Sequence, residues 1–178
     1  MKYKQLLNEL NVKEEVVMEF FVVFSRFEFA LKKAGYLKTG RNESALPDWN
    51  DFAIKNEDKF DMEKDARLSE AWNYLDKEPP QMQIVNNGKL DFKIDERLND
   101  KSSLYKAALA IKTVRNNLFH GGKFPRSGIV DDPARKTELL KKCVILLEEM
   151  LDLDPDVKKE FFSAGNGMLF TEYQYVNN

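Results

Sequence analysis

The chain has 178 residues, 43% hydrophobic and 33% charged, with 28 Lys and Arg against 30 Asp and Glu. That balance fits a single soluble domain over 1–178 with enough apolar mass for a core. One cysteine and one histidine exclude an internal disulfide framework and the usual Cys/His zinc site.

The start MKYKQLLNEL has no signal-peptide pattern, and no apolar run approaches the length of a membrane span. A cytoplasmic protein without a membrane partner is expected. No glycine-rich phosphate loop, Gly-x-Ser-x-Gly elbow or His-Glu-x-x-His occurs, which removes sequence support for the common nucleotide, hydrolase and zinc-protease readings.

The first element is a long helix over 13–34, ending at Gly35, with Asn11 and Glu14 spaced as a capping box. Val16, Val17, Phe20, Phe21, Val23, Phe24, Phe27 and Leu31 are apolar almost all round, which predicts burial on most sides. Ser25, Arg26 and Glu28 interrupt the run. Glu28 has two readings: an exposed pair with Lys32 one turn on, or a partly buried carboxylate supporting a cation elsewhere, for which Arg115 is the candidate. From Gly35 to Pro47 the chain is polar and broken by glycine, as in a loop.

Residues 48–77 read as two helical pieces with Trp49, Phe52, Phe60, Leu68, Trp72 and Leu75 as core, stopped by Pro79-Pro80. Two short alternating segments joined by Asn87-Gly88 predict a β-hairpin near 81–93, an insert that must pack on helices. A helix follows from about Ser103 to Phe119. Asp132-Pro133 opens another, whose stripe of Leu139, Leu140, Cys143, Val144, Leu147, Met150 and Leu151 makes Cys143 a small buried hydrophobe. Asp154-Pro155 repeats that start signal for a short helix to about Ala164. The tail from Thr171 carries no clear signal.

Chemistry concentrates in Arg115-Asn116-Asn117-Leu118-Phe119-His120-Gly121-Gly122. Between Lys101 and Val130 there are six Lys or Arg and no Asp or Glu, while the remainder holds 22 basic and 30 acidic residues. A local positive island on an acidic body suits an anion, with Lys112, Lys123 and Arg126 as substrate-binding residues.

At 100° per residue, Arg115 falls near the middle of the face made by Leu104, Ala107, Ala108, Ile111, Val114, Leu118 and Phe119. A guanidinium there needs a partner or a ligand. Asn116 and His120, four apart, are neighbours, so Asn116 is placed to orient the imidazole. Arg115 and His120 diverge on a straight helix, but Gly121-Gly122 ends it and frees the direction of His120. A purely structural reading makes His120 a C-terminal cap and Arg115 half of an ion pair.

Arg115-Asn116-Asn117-Leu118-Phe119-His120-Gly121 resembles the Arg-x4–6-His motif of HEPN-domain proteins, in which a polar residue, often Asn, follows the Arg. Phe20 to Lys32 is similar to the first long helix of bacterial HEPN proteins, whereas 39–95 shows little likeness. The resemblance implies an all-α fold, an antiparallel helical bundle carrying the 81–93 hairpin as an insert. It also implies an endoribonuclease of the toxin or phage-defence kind, with Arg115, Asn116 and His120 catalytic, no cofactor and no metal. RNA is the implied substrate, a homodimer supplies two histidines, and an inhibitory or antitoxin protein is the implied partner. The Tyr that some HEPN toxins carry two residues after the His is replaced by Gly122, so the likeness does not extend to regulation through it. The alternatives are a catalytically silent HEPN domain that binds RNA, nucleotides or a protein, and a helical interaction protein with no nucleic-acid role.

Overall fold

The computed structural model describes residues 12–96, 101–120 and 133–163. Among the described residues six α-helices dominate: α1 (Glu14–Lys33), α2 (Trp49–Asn56), α3 (Ala66–Lys77), α4 (Ser103–Phe119), α5 (Pro133–Leu153) and α6 (Pro155–Phe162). Two antiparallel pairs accompany them, β1 (Leu37–Thr39) with β2 (Ala45–Pro47) and β3 (Met82–Asn86) with β4 (Lys89–Lys93). The all-α expectation is therefore corrected to a mixed fold, helices with two small sheets. The first sheet occupies a stretch expected to be loop.

That miss has a local cause. β1 is exposed throughout and β2 nearly so, leaving no inward-outward alternation to read. Turn geometry sets the pairing instead: Gly40 N–H donates to the Ser44 carbonyl at 2.7 Å, and Asn42 and Glu43 adopt φ of 54° and 58°. A Cβ on Gly40 would lie 2.5 Å from Ser44 Oγ and 2.7 Å from a Leu46 methyl carbon, so a larger residue there would have to displace those two side chains. In the second hairpin Asn87 and Gly88 take φ of 50° and 75°, both left-handed as a two-residue type I′ turn demands.

Side-chain capping accounts for four of the helix starts. Asp48, Asp65, Ser102 and Asp154 each accept backbone N–H bonds at the starts of α2, α3, α4 and α6. α1 ends in a Schellman turn: Tyr36 N–H reaches the Leu31 carbonyl at 2.9 Å, Gly35 N–H reaches Lys32, and Gly35 sits at φ 93°. Asn11, expected to cap the start of α1, lies outside the described residues.

α1 packs along α5 and α6, α3 packs on α5, and α2 packs on α4. The core gathers Phe20, Phe24, Phe27 and Leu31 with Trp49, Phe52, Leu68, Leu75, Leu104, Ile111 and the buried face of α5. Cys143 is fully buried there, and burial pushes its thiol well above the ordinary range, so it packs as a hydrophobe.

α1 is less enclosed than its sequence predicts. Met18, Phe21, Val22 and Phe29 form a stripe left 39–54% exposed, because its helical neighbours cover only the opposite face. Arg26, an interruption in the sequence pattern, fixes α6: its Nε donates to the Phe161 carbonyl at 2.7 Å and Nη2 to the carbonyls of Glu160 (2.8 Å) and Ser163. A cation on the last carbonyls of a helix also complements its dipole. Among the described residues, no helix is long and apolar enough to cross a membrane.

Candidate active site

α4 positions the motif. Its buried residues are Leu104, Ala107, Ala108, Ala110, Ile111, Val114 and Asn117. Ala110 and Asn117 extend the core face on one side while Phe119 stays 49% exposed on the other. The face is thus rotated away from Phe119, and Arg115, expected near its centre, lies half-buried at its rim.

Asn117 explains the rotation. Its amide nitrogen donates to the Gln81 carbonyl at 2.8 Å, and its Oδ1 accepts from Gln83 Nε2 at 3.2 Å. This buried side chain fastens the β3–β4 hairpin to the last turn of α4. Both of its polar atoms are bonded, as a buried amide requires.

Arg115 is held by rings and an amide rather than, among the described residues, by an acid. Its guanidinium carbon lies 5.4 Å from the Phe24 ring centroid and 5.3 Å from that of Phe119, and Phe119 packs on Phe21 at 5.3 Å. Nη1 donates to Asn116 Oδ1 at 3.0 Å, while Nε is buried and has no hydrogen-bond partner. Among the described residues no carboxylate pairs with it. Two rings restrict the cation and leave its charge available to an anion.

The sequence expected Glu28 to support Arg115, and that is corrected. Glu28 Oε1 accepts from Trp49 Nε1 at 3.0 Å, so the carboxylate from α1 satisfies a buried indole. The Lys32 alternative is not formed either. Asn116 is likewise reassigned, because its side chain serves Arg115 and only its backbone carbonyl meets His120 N–H, at 2.9 Å.

His120 follows the last residue of α4 as its C-cap, and its side chain is exposed. Imidazole and guanidinium therefore flank one helix end, with no hydrogen bond between them. Lys112, half-buried one turn earlier, lines a cleft on the same helix. Lys123 and Arg126 lie outside the described residues. No group of three or more His, Cys, Asp or Glu side chains that could hold a metal gathers among the described residues.

Phe24 and Phe119 were missed as parts of the site because aromatic residues in a helical stripe read first as core. The one local signal is the four-residue spacing of Arg115 and Phe119, which sets a cation above a ring on any helix. No family model matches the chain, and neither a curated protein nor a solved structure does.

Proposed function

We propose that this chain is a metal-independent endoribonuclease of the HEPN type, a cytoplasmic toxin or defence effector acting as a homodimer. The observation that carries the reading is the Arg115 guanidinium, fixed by Phe24, Phe119 and Asn116 yet lacking any carboxylate among the described residues. An ion-pair arginine would have found an acid. Leaving a partly buried cation without one costs stability, which an arriving phosphate restores.

In the proposed reaction a ribose 2′-hydroxyl attacks the neighbouring phosphorus, and the bond to the leaving 5′-oxygen breaks. One base removes the 2′ proton and one acid delivers a proton to the 5′-oxygen, giving a 2′,3′-cyclic phosphate and a 5′-hydroxyl. Arg115 stabilises the charge gathering on the non-bridging oxygens, and Asn116 orients the guanidinium. His120 transfers protons, and with one histidine per chain the second comes from a second copy. The open stripe of Met18, Phe21, Val22 and Phe29, joined through Phe21 to Phe119, supports a partner surface beside the motif. Lys112, Lys123 and Arg126 serve the RNA backbone, and an inhibitory protein partner would restrain the activity.

The test is incubation of purified protein with total RNA in EDTA. Cleavage leaving 2′,3′-cyclic phosphate ends is expected from the wild type. Activity lost in EDTA and restored by Mg²⁺ or Mn²⁺ would overturn the proposal.

A further inference from the structure

Beside the motif, β1, the first turn of α2 and one face of α4 enclose a cleft of about 150 Å³. That is room for a single ring system, well below the usual size of drug-sized ligand pockets, roughly 300 Å³ and upward. Tyr105, Ala108, Leu109 and Lys112 line it from α4, and Lys38, Trp49 and Asn50 close it. Residues 105, 108 and 112 follow helical spacing, and the next turn of that face carries Arg115 and Asn116. From Lys112 to Arg115 the rise is about 5 Å.

The cleft and the motif share a wall. Trp49, only 3% exposed, stacks on Phe24 at 5.7 Å, and Phe24 is also the ring beneath Arg115. Its indole N–H also donates to Glu28 Oε1 at 3.0 Å, which sets the orientation of the ring. Tyr105 stands half-buried with Lys101 Nζ 5.6 Å from its ring, and Asn50 is exposed at the mouth with an amide able to read a polar edge. Lys38 pairs with Asp48 at 3.4 Å across a largely open contact, which an incoming phosphate can displace. α4 itself contains no acid. The cleft on its other side, about 130 Å³, is lined by Asp76 and Asp95 with one lysine, Lys106, already paired to Asp76, and suits an anion less well.

Aromatic walls, a small floor at Ala108 and lysines at the rim are the chemistry of single-stranded nucleic acid recognition. We infer that this cleft binds one nucleotide flanking the scissile phosphate, its base stacked on Tyr105 with buried Trp49 as the back wall, and its phosphate at Lys38 and Lys112. The inference rests on the ribonuclease reading and gives its substrate a path: single-stranded RNA laid along α4 toward Arg115.

The test is fluorescence anisotropy with a labelled 2′-O-methyl oligoribonucleotide, which cannot be cut by 2′-hydroxyl attack. Tyr105→Leu removes the stacking ring and should weaken binding by about fivefold to a hundredfold, while Tyr105→Phe should bind like wild type. Lys38→Gln should weaken binding several-fold, at about one phosphate contact, and flatten its salt dependence. Equal affinity across wild type, Tyr105→Leu and Lys38→Gln, or no binding by wild type, would overturn the inference.

Photo-crosslinking of a 4-thiouridine oligonucleotide to wild type needs no variant and should label peptides containing Trp49 or Tyr105. Labelling confined to other peptides would equally overturn it. The two readings separate cleanly. Wild type that binds in this pattern yet never cuts RNA leaves the cleft standing without the nuclease. Wild type that cuts RNA while these variants bind normally removes the cleft alone.

Discussion

Three arginines of this molecule are treated in two different ways. Where α1 meets α6, Arg26 gives its hydrogens to three terminal carbonyls of a helix. Where α3 meets α5, buried Arg135 binds Glu78 through both its carboxylate, at 2.6 Å, and its carbonyl, at 2.8 Å. At the end of α4, Arg115 has two aromatic rings, one neutral amide oxygen and a buried Nε without a partner. The first two arginines join elements together. The third is positioned by its surroundings and meets no carboxylate among the described residues, which is the arrangement expected of a ligand-binding cation.

That contrast is sharpest at the histidine beside it. His120→Ala should lower RNA cleavage by about two to four orders of magnitude, with RNA affinity and melting temperature near wild type. Single-turnover kinetics on the folded variant checks this, and cleavage at the wild-type rate would remove His120 from the chemistry. Arg115→Lys keeps a charge but loses the planar fork, so turnover should fall about a hundredfold to a thousandfold while RNA binding survives better.

At the structural arginines the effects should reverse in kind. Arg135→Leu leaves Glu78 without its guanidinium and should cost about 1–3 kcal/mol of stability in chemical denaturation, with the rate per folded molecule unchanged. Asn117→Ala strands the Gln81 carbonyl and should cost a similar amount, about 1–3 kcal/mol, loosening the β3–β4 hairpin as read by amide hydrogen exchange.

The smallest effect belongs to Asp154. Although its partial burial disfavours ionisation, the Tyr36 hydroxyl at 2.6 Å and the N–H groups of Val157 and Asp156 hold its carboxyl below the ordinary range. A lowered folded value gives stability that is present above the unfolded value, about 3.9, and is lost as pH falls through the folded one. Asp154→Asn keeps an acceptor for the cap but cannot titrate. The stability gap between wild type and this variant should therefore be full near neutrality and shrink below about pH 4. A gap that is constant down to pH 2 would contradict the assignment.

Much of the helical framework was legible because its signals are local. Asp154-Pro155, the apolar stripe of α5 and the glycine after α1 each act within a turn or two of where they stand. The Asn87-Gly88 turn was legible for the same reason. The β1–β2 pair was not, because its exposed residues carry no alternation and its register follows from backbone signs at Asn42 and Glu43.

In the site, the motif residues could be read but their partners could not. Glu28 binds an indole 21 positions away, and Phe24 reaches Arg115 from a different helix. Asn117, adjacent to the catalytic candidates, has a core role that only the packed hairpin reveals. Arg115 was read as central because helical periodicity ignores the hairpin that rotates the buried face of α4.

The most direct test pairs two measurements on one variant, Arg115→Ala: its melting temperature, and its rate of RNA cleavage in EDTA. A cation without a carboxylate among the described residues leaves no stranded charge when removed. The variant should therefore melt close to wild type yet cleave at least about a hundredfold more slowly. If instead Arg115→Ala is destabilised as Arg135→Leu should be and its activity loss tracks unfolding, Arg115 is a structural arginine. A folded variant that cleaves at the wild-type rate would contradict the account equally.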